Sequence, residues 1–380
     1  MAQIEIENLA KTFKDGHVAL SGIGFDVKDR EAVFLLGPSG AGKTTTLRLV
    51  AGLEDVTHGR IRIGGRDITD LTPRERNLAM VYDKHSLFPH MSVFENLAYP
   101  LRIRKVPDGQ MKSRIEAVAE TLQISQLLER RPAQLSGGQQ QRVAIGRALV
   151  RDAHCYLLDE PISHLDAQLR ARMRVEFKRL QREFQATMLY VSHDQLEAMT
   201  MADRIVLINK GGIEQIAAPQ DLFDQPETLF AATFVGEPAM NTLPAKFYEV
   251  AGRHYLSIGN GMVPLDRDWL ASGQPLQAGI NYTLGIRPQQ IALCAPEDER
   301  EGRVNGVIFA LETLGSRVVF DIDVDDAIVR VMTSVDVARR FPSAIGASIA
   351  FRIDPDFIYL FDPATARALR QARFTRRRTS

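Results

Sequence analysis

One short segment, Gly37-Pro-Ser-Gly-Ala-Gly-Lys43-Thr44, combines the residue types that bind phosphate groups. It follows the apolar run 32–36, which predicts a buried strand, and it leads into a helical pattern over residues 44–51. Glycines at such a turn let backbone N–H groups face an anion, and the helix N-terminus adds positive charge. We expect Lys43 to reach the β- and γ-phosphates of a nucleotide and Thr44 to hold Mg²⁺.

Two carboxylates close a second apolar run, in Leu157-Leu-Asp159-Glu160-Pro161. A carboxylate at the carboxyl end of a strand suits Mg²⁺ ligation when the same sheet carries a phosphate-binding loop. We therefore assign Asp159 to the metal and Glu160 to the polarisation of an attacking water. The alternative is that the pair caps the next helix.

A serine and two glycines, in Leu135-Ser136-Gly-Gly-Gln139, precede a helical pattern that runs to about Leu149. Alone, such a turn usually caps a helix. Its backbone N–H groups and the Ser136 hydroxyl equally suit a phosphate. Because the chain already has one phosphate loop, we interpret this segment as a second contact to the same nucleotide.

The elements that must position these residues alternate along the first 235 residues. Apolar runs at 155–158, 188–191 and 204–208 predict strands. Between two of them, apolar residues recur at helical spacing from Leu169 to Phe184. Strands separated by helices indicate a parallel α/β sheet. Near the N-terminus, Ile4, Ile6, Phe25 and Val27 alternate with polar residues, as in an antiparallel sheet with one wet face.

The pattern changes after residue 235. Gly236-Glu-Pro238 breaks the chain, and Asn241–Pro244 follows without periodicity. Short apolar runs separated by turn residues then continue to residue 361, which is typical of small β-barrels. We predict two domains, 1–235 and 236–380.

Composition excludes several classes of protein. The 380 residues carry 47 basic and 47 acidic side chains, so the basic excess of a general nucleic-acid binder is missing. Two cysteines make no disulfide framework and indicate a reducing compartment. No apolar run approaches the ~18 residues that span a bilayer, and the first ten residues lack the cationic start of a signal peptide.

The motifs together resemble those of ATP-binding cassette (ABC) ATPases. The phosphate loop, the segment 135–139, Asp159-Glu160, Ser163-His-Leu-Asp166 and His193 stand in the order and spacing of that family. Gly285-Ile-Arg-Pro288 and Leu314-Gly-Ser316 resemble the transport-associated OB-type (TOBE) domain of importer ATPases, so the match extends over most of the chain. The implied α/β fold is a P-loop NTPase ABC cassette with a mostly parallel sheet, an antiparallel β subdomain and a helical subdomain. An all-β, OB-like barrel domain follows it.

The resemblance also implies a mechanism, in which two cassettes sandwich two ATP molecules head to tail. Phe13 matches the aromatic residue that stacks on adenine; the alternative is a core aromatic on an edge strand. His193 matches the switch histidine at the γ-phosphate, although a lone histidine after a strand is more often structural. Asp166 matches a residue of the loop that crosses the dimer, and it is also placed to cap the helix that follows.

These inferences give a full set of site residues, with ATP and Mg²⁺ as the ligands. Nucleotide binding is assigned to Phe13, Gly37, Pro38, Ser39, Gly40, Ala41, Gly42, Lys43, Thr44, Thr45, Ser136, Gly137, Gly138, Gln139 and Asp166. Catalysis is assigned to Glu160, His193 and Asp83, and metal binding to Thr44, Asp159 and Asp83.

Asp83 departs from the family pattern, which has glutamine at this position. Glutamine both donates and accepts hydrogen bonds, whereas an ionised aspartate only accepts and is one methylene shorter. Asp83 can ligate Mg²⁺, directly or through water, but cannot donate to the attacking water. We hypothesise a subunit that is slow at its own ATP site or that pairs with a non-identical ATPase. The alternative is that Asp83 only caps a turn.

The expected partners follow from the same resemblance. The segment 84–90 exposes Leu87 and Phe88 beside Pro89, where the family receives a coupling helix from a membrane subunit. We expect two membrane permease subunits, an extracytoplasmic solute-binding protein, and a homodimer or a heterodimer with a second ABC ATPase, but no nucleic acid. The expected location is the cytoplasmic face of the inner membrane, as a peripheral protein.

The expected function is ATP hydrolysis that drives the import of a sugar, polyol or glycerol derivative. The alternative is a soluble regulatory ABC ATPase, or one associated with nucleic acid or ribosomes, with low turnover. Chromosome-type members insert long coiled coils between the phosphate loop and the 135–139 segment, and translation-type members carry two cassettes. Here Thr44 and Leu135 are 91 residues apart without sustained heptads, and there is one cassette.

Overall fold

A computed structural model describes residues 2–82, 86–151, 153–163, 165–266, 269–270, 275–295, 298 and 301–372. The chain folds as two compact units, Met1–Pro219 and Gln220–Ser380. Residues 220–235, which precede the boundary predicted from the sequence, lie in the second unit.

The first unit contains two sheets. Its strands are β1 (Ile4–Thr12), β2 (Val18–Val27), β3 (Ala32–Leu36), β4 (His58–Ile63), β5 (Arg66–Asp67), β6 (Ala79–Val81), β7 (Tyr156–Asp159), β8 (Met188–Ser192), β9 (Arg204–Asn209) and β10 (Gly212–Ala217). The order β2-β1-β4-β5 forms a four-stranded antiparallel sheet, and β10-β9-β3-β8-β7-β6 forms a six-stranded sheet. The larger sheet is parallel except for β10, which runs antiparallel to β9. The predictions of a mostly parallel sheet and an antiparallel subdomain are confirmed.

Among the described residues of this unit, six helices accompany these sheets. They are α1 (Lys43–Ala51), α2 (Val93–Ile103), α3 (Asp108–Thr121), α4 (Gly137–Leu149), α5 (Ala167–Glu183) and α6 (Gln195–Met201). Helix α2 packs against α3 and α4, which gives the predicted helical subdomain. Single 3₁₀ turns at Ser125–Leu127 and Pro132–Gln134 connect α3 to α4.

The parallel sheet explains why distant motifs meet. Strand β8 lies between β3 and β7, and all three run in the same direction. Their carboxyl ends therefore meet at one edge of the sheet. That edge holds the phosphate loop after β3, Asp159-Glu160 at the end of β7 and His193 after β8. The strands stay fixed because their apolar side chains are buried on both faces.

The second unit consists mainly of antiparallel strands. They are β11 (Asn241–Val250), β12 (Arg253–Ile258), β13 (Gly261–Leu265), β14 (Asn281–Ile286), β15 (Ile291–Cys294), β16 (Arg303–Leu314), β17 (Arg317–Val324), β18 (Ala327–Ser334), β19 (Ser348–Ile353), β20 (Tyr359–Phe361) and β21 (Ala368–Arg370). The orders β13-β12-β11-β14-β20-β21 and β15-β19-β16-β17-β18 form two sheets around one apolar core. Short helices α7 (Pro219–Asp224), α8 (Leu229–Phe234) and α9 (Val335–Ala338) complete it, with 3₁₀ turns at Pro288–Gln290 and Pro355–Phe357.

One prediction for this unit is wrong. Residues 241–244 lack visible periodicity, yet they begin β11, a strand in the interior of its sheet. The strand does alternate, because Leu243, Ala245 and Phe247 are buried. The pattern is hidden by Asn241, a buried polar residue whose side chain accepts from the Arg330 N–H and donates to its carbonyl, both at 2.8 Å.

Both cysteines are buried, and neither forms a disulfide. The Cys155 thiol donates to the Ala2 carbonyl at 3.1 Å, and burial raises its pKa to about 12. Among the residues that the structure describes, none of the helices has both the length and the apolar composition needed to cross a membrane.

Candidate nucleotide site

The phosphate loop borders a cavity of about 370 Å³. Its lining combines the loop, the first helix and the ends of two other strands: Phe13, His17, Ala19, Ser39, Gly40, Gly42, Lys43, Thr44, Thr45, Glu160 and His193. Nine of these eleven residues were predicted from the sequence to bind nucleotide or to act in catalysis. His17 and Ala19 were not.

Two glycines give the loop its close turn. Gly42 caps α1 in the left-handed region, with φ 103°, and a Cβ there would lie 2.7 Å from the Ala19 carbonyl oxygen. A Cβ on Gly37 would lie only 2.1 Å from the Ile208 carbonyl oxygen. Any larger residue at either position would push the loop away from the sheet.

The Lys43 ammonium is held inside the loop. Its Nζ donates to the carbonyls of Gly37 at 2.8 Å and Pro38 at 2.9 Å. Burial lowers the pKa of Lys43, while the carboxylates of Glu160 and Asp159 act in the opposite direction. An ammonium so placed can exchange its carbonyl partners for the oxygens of a phosphate chain.

One contact joins the phosphate-loop segment to the end of β7, and a second joins the ends of β7 and β8. The Thr44 hydroxyl donates to Asp159 Oδ1 at 3.3 Å, so two oxygen ligands stand side by side. Such hard oxygen donors are the set that Mg²⁺ prefers. Next to them, His193 Nδ1 and Glu160 Oε2 are 2.8 Å apart. This hydrogen bond fixes the orientation of the imidazole relative to the carboxylate.

The turn that carries His193 rests on a buried polar group. Ser192 donates to Glu197 Oε2 at 2.7 Å, and the buried Tyr190 hydroxyl lies 3.4 Å from the same oxygen. Burial raises the pKa of Glu197, the Ser192 hydrogen bond opposes this shift, and Asp194 adds to it. Sequence motifs gave no signal for Glu197, because its two hydroxyl partners lie on β8 and meet α6 only in the fold.

Phe13 has an unpredicted neighbour. The Phe13 N–H donates to the His17 carbonyl at 2.9 Å, and their rings stack with centroids 6.2 Å apart and planes 11° apart. Lys11 Nζ lies 5.1 Å from the centre of the Phe13 ring. The signal for His17 was the Asp15-Gly16 turn, which brings residues 13 and 17 opposite each other.

The remaining predicted nucleotide residues occupy two helix starts. Ser136 caps α4 in a capping box, in which its hydroxyl accepts from the Gln139 N–H at 3.4 Å and Gln139 Oε1 accepts from the Ser136 N–H at 3.0 Å. Asp166 caps α5 by accepting from the Leu169 N–H at 2.9 Å. Within the described part of the chain, neither Asp166 nor the segment 136–139 lines the cavity beside the phosphate loop.

Asp83, predicted to act in catalysis and metal binding, lies outside the described residues, as do Lys84 and His85. The apolar segment beyond them is firmly anchored. Asn96 accepts from the Phe88 N–H at 2.8 Å and donates to the carbonyls of Phe88, Met91 and Ser92. The rings of Phe88 and Tyr99 lie 4.6 Å apart.

A second cavity of about 820 Å³ lies beside Tyr82, the last described residue before this gap. Apolar side chains such as Met80 line its floor, and Arg74, Arg104 and Arg151 lie around it. Its size falls in the range of cavities that bind ligands much larger than a single ion.

Two family models match this chain. The model of the ABC transporter family matches residues 20–163, which contain the phosphate loop and Asp159-Glu160. The model of the TOBE domain matches residues 284–361.

Full-length relatives carry both parts. The sn-glycerol-3-phosphate import ATP-binding protein UgpC of Paraburkholderia xenovorans is 40% identical over 97% of this chain and 99% of its own. The protein of the same name in Psychromonas ingrahamii is 39% identical over 97% and 95%. That of Cereibacter sphaeroides is 47% identical over 78% and 81%.

Solved structures match the first unit. A dimeric ATP-binding cassette in a post-hydrolysis state, bound to ADP and Pi, is 29% identical and covers 57% of this chain and 98% of its own, with a TM-score of 0.51. A Clostridium perfringens protein that is part of an ABC transporter complex is 25% identical, covers 58% and 90%, and has a TM-score of 0.55.

Proposed function

Because this chain belongs to the ATP-binding subunits of ABC importers that carry a TOBE domain, and therefore binds and hydrolyses ATP, we propose that it drives the uptake of sn-glycerol 3-phosphate. The supporting observation is the pair of relatives of that name that match it over 97% of its length. Phosphorylated glycerol falls within the solute classes expected from the sequence. The comparisons favour import over the regulatory or nucleic-acid-associated alternative.

In this proposal the cavity beside the phosphate loop holds ATP. Phe13 stacks on adenine, residues 37–45 surround the phosphates, and Lys43 neutralises the β- and γ-phosphates. Thr44 and Asp159 hold Mg²⁺, since their oxygens lie 3.3 Å apart and fit its ligand preference. When bound, Mg²⁺ supplies positive charge to the phosphate oxygens.

Glu160 and His193 carry out the hydrolytic step. The Glu160 carboxylate accepts a proton from the attacking water, which makes that water a better nucleophile. His193 Nδ1 lies 2.8 Å from Glu160 Oε2, so each group limits the rotation of the other. Once Glu160 holds that proton and donates a hydrogen bond to Nδ1, the imidazole carries its own hydrogen on Nε2, which donates to the γ-phosphate and stabilises the charge that develops there.

A second cassette completes the site. Ser136, Gly137, Gly138 and Gln139 begin a helix whose N–H groups suit an anion, but they do not line the cavity of their own chain among its described residues. We propose that they contact the γ-phosphate bound by a partner ATPase, with Asp166 facing the same interface. The partner is a second copy or a related ATPase.

The membrane subunits dock beside the cavity near Tyr82. The cavity of about 820 Å³ combines apolar side chains with arginines, and Leu87 and Phe88 of the segment 86–91 are partly exposed. A coupling helix from each of two permease subunits would fill this surface. The chain would then work at the cytoplasmic face of the inner membrane, with an extracytoplasmic binding protein delivering the solute.

The solute assignment is tested with the assembled transporter. The chain is reconstituted in vesicles with the permease subunits and binding protein encoded beside its gene, and ATP hydrolysis is measured with sn-glycerol 3-phosphate, glycerol or maltose. We expect stimulation by sn-glycerol 3-phosphate alone. Stimulation by another solute instead would overturn the assignment while leaving the importer class intact.

The catalytic assignment is tested by Glu160→Gln. We expect hydrolysis to fall by roughly 10²-fold or more, the usual contribution of a general base, while ATP binding is retained. The matched control is Glu183→Gln at the exposed end of α5. Equal rates in the two variants would refute the role of Glu160.

A further inference from the structure

Arg170 contacts two loops of the candidate site at once. It lies one turn into α5, and its Nη2 donates to the carbonyls of Ser163 and Leu165, each at 3.0 Å. Its Nη1 lies 3.4 Å from Asp194 Oδ2. A single side chain therefore joins the loop that leads to Asp166 to the turn that carries His193.

Asp194 is itself fixed to the start of α6. Its Oδ1 accepts from the N–H groups of Leu196 at 2.8 Å and Glu197 at 3.2 Å, while Oδ2 faces Arg170. The backbone N–H of Asp194 also donates to Ser192 Oγ at 3.0 Å. Movement of the His193 turn thus requires movement of Asp194, and Arg170 transmits that movement to α5.

The contacts form a closed ring that includes the proposed base, Glu160. Ser163 Oγ donates to the Glu160 carbonyl at 2.9 Å, and Arg170 then links Ser163 to Asp194. His193 directly precedes Asp194 in the chain, and its Nδ1 closes the ring through the 2.8 Å contact with Glu160 Oε2. The ring passes through backbone carbonyls, so the sequence motifs do not reveal it.

Only arginine suits this position. The guanidinium presents several N–H donors in one plane and can serve two carbonyls and a carboxylate together. A lysine ammonium keeps the charge opposite Asp194 but is a compact donor on a flexible stem, and it cannot span the same partners.

We propose that Arg170 is a positioning residue that couples the loop before Asp166 to the turn carrying His193. Through this coupling, contact of His193 with the γ-phosphate in one cassette determines the position of the loop that faces the other cassette. The inference rests on the proposed function of this site in an ATPase dimer. Arg170 does not touch the nucleotide in this scheme; it acts through Asp166 and His193.

The competing explanation is that Arg170 only stabilises the fold. Its side chain is 29% exposed and that of Asp194 22% exposed, so the ion pair is partly accessible to water. A purely stabilising contact would change the midpoint of unfolding and leave the turnover of each folded molecule unchanged. Coupling instead predicts a change in turnover and in cooperativity.

The test compares Arg170→Gln and Arg170→Lys with the control Arg172→Gln, an exposed arginine of the same helix. In the reconstituted transporter we expect Arg170→Gln to lower kcat about tenfold, since small misplacement of reacting groups has effects of this size or larger. KM for ATP should stay within about twofold and the Hill coefficient should approach 1. Arg170→Lys should be intermediate, and Arg172→Gln unchanged.

The path through Asp194 is tested by a double-mutant cycle. Asp194→Asn keeps an oxygen to cap α6 but loses the charge facing Arg170. If Arg170 acts through Asp194, the double variant should be no slower than Arg170→Gln alone.

Two results would overturn the inference. In the first, Arg170→Gln has the same kcat and Hill coefficient as Arg172→Gln. In the second, the loss of kcat in Arg170→Gln disappears once the rate is corrected for the fraction of folded protein. Wild-type protein without turnover would instead count against the proposed function.

Discussion

At the scale of single residues, the burial of Glu197 makes the stability of the fold depend on pH. Its pKa is raised in the folded chain, chiefly by burial, from an ordinary value of 4.5. The fold therefore favours the protonated acid. The stability that it contributes is complete below pH 4.5 and is lost as the pH rises through the folded-state pKa.

Glu197→Gln should remove this dependence, because the amide stays neutral and its oxygen still accepts from Ser192. We expect the free energy of unfolding of the variant, relative to wild type, to increase as the pH rises from about 4.5 to neutrality. Urea unfolding at several pH values measures it, with Glu116→Gln on the exposed side of α3 as control. A constant difference across that range would contradict the prediction.

Asp83 supports a second prediction at this scale, made from the sequence alone. Asp83→Gln should restore a donor to the attacking water and raise the ATPase rate by roughly tenfold, equivalent to about 1.4 kcal/mol of barrier. Asp83→Asn restores the donor without the added length and separates the two effects. The rates are measured with the chain alone and with any ATPase encoded beside it; no change in either setting would contradict the hypothesis.

The sequence gives signals for individual residues where the chemistry is local in the sequence. Gly37 to Thr45 and Asp159-Glu160 each form a continuous motif, and the structure brings members of both to one edge of the sheet. Arg170 was missed because it binds two backbone carbonyls, and Glu197 was missed because its partners are hydroxyl groups on the preceding strand. Such partners carry no residue-type signature.

At the scale of elements, helices α2 and α4 of the first unit both begin with a capping box. Ser92 and Ser136 each cap a helix in a capping box, with Glu95 and Gln139 as the reciprocal residues. The proposed function gives only Ser136 a second task, at the nucleotide of a partner. Comparing substitutions of Ser92 and Ser136 therefore separates the effect of capping from an effect on catalysis.

Ser92→Ala and Ser136→Ala should each lower the free energy of unfolding by about 1 kcal/mol, the usual cost of a lost cap. Ser136→Ala should also lower kcat by roughly tenfold, because a donor to the γ-phosphate is lost. Unfolding curves and steady-state hydrolysis of both variants provide the measurement. If the two variants hydrolyse ATP equally well, Ser136 is a cap alone.

Element prediction failed where a buried polar residue replaced an apolar one. Strand β3 was predicted at its observed bounds because all five of its residues are apolar. The start of β11 was missed because Asn241 occupies a core position and obtains its stability from two hydrogen bonds to Arg330. Periodicity detects hydrophobicity, and a hydrogen-bonded asparagine in the core lacks it.

At the scale of the whole molecule, Arg287 determines where the second unit must begin. It is fully buried and donates to the carbonyls of Phe223, Ala232 and Val235. Its guanidinium carbon lies 3.9 Å from the centre of the Phe223 ring. These partners all precede residue 236, the domain start predicted from the sequence.

A fragment of residues 220–380 should therefore be more stable than one of residues 236–380, by about 3 kcal/mol or more, because the shorter one leaves a buried cation without its acceptors. Urea unfolding of both fragments measures the difference. Arg287→Met should destabilise the longer fragment strongly and the shorter one little. Equal stability of the two unsubstituted fragments would support the boundary at residue 235.

The two buried cysteines have a practical consequence for spectroscopy. Thiolates react with maleimides, and the pKa of Cys155 near 12 leaves almost none at neutral pH. Both thiols are also shielded from reagents by burial. The native sequence therefore serves as its own cysteine-less background. A cysteine introduced at Val175, which is 72% exposed on α5, can carry a fluorophore or spin label and report the separation of the two cassettes in the proposed dimer during turnover.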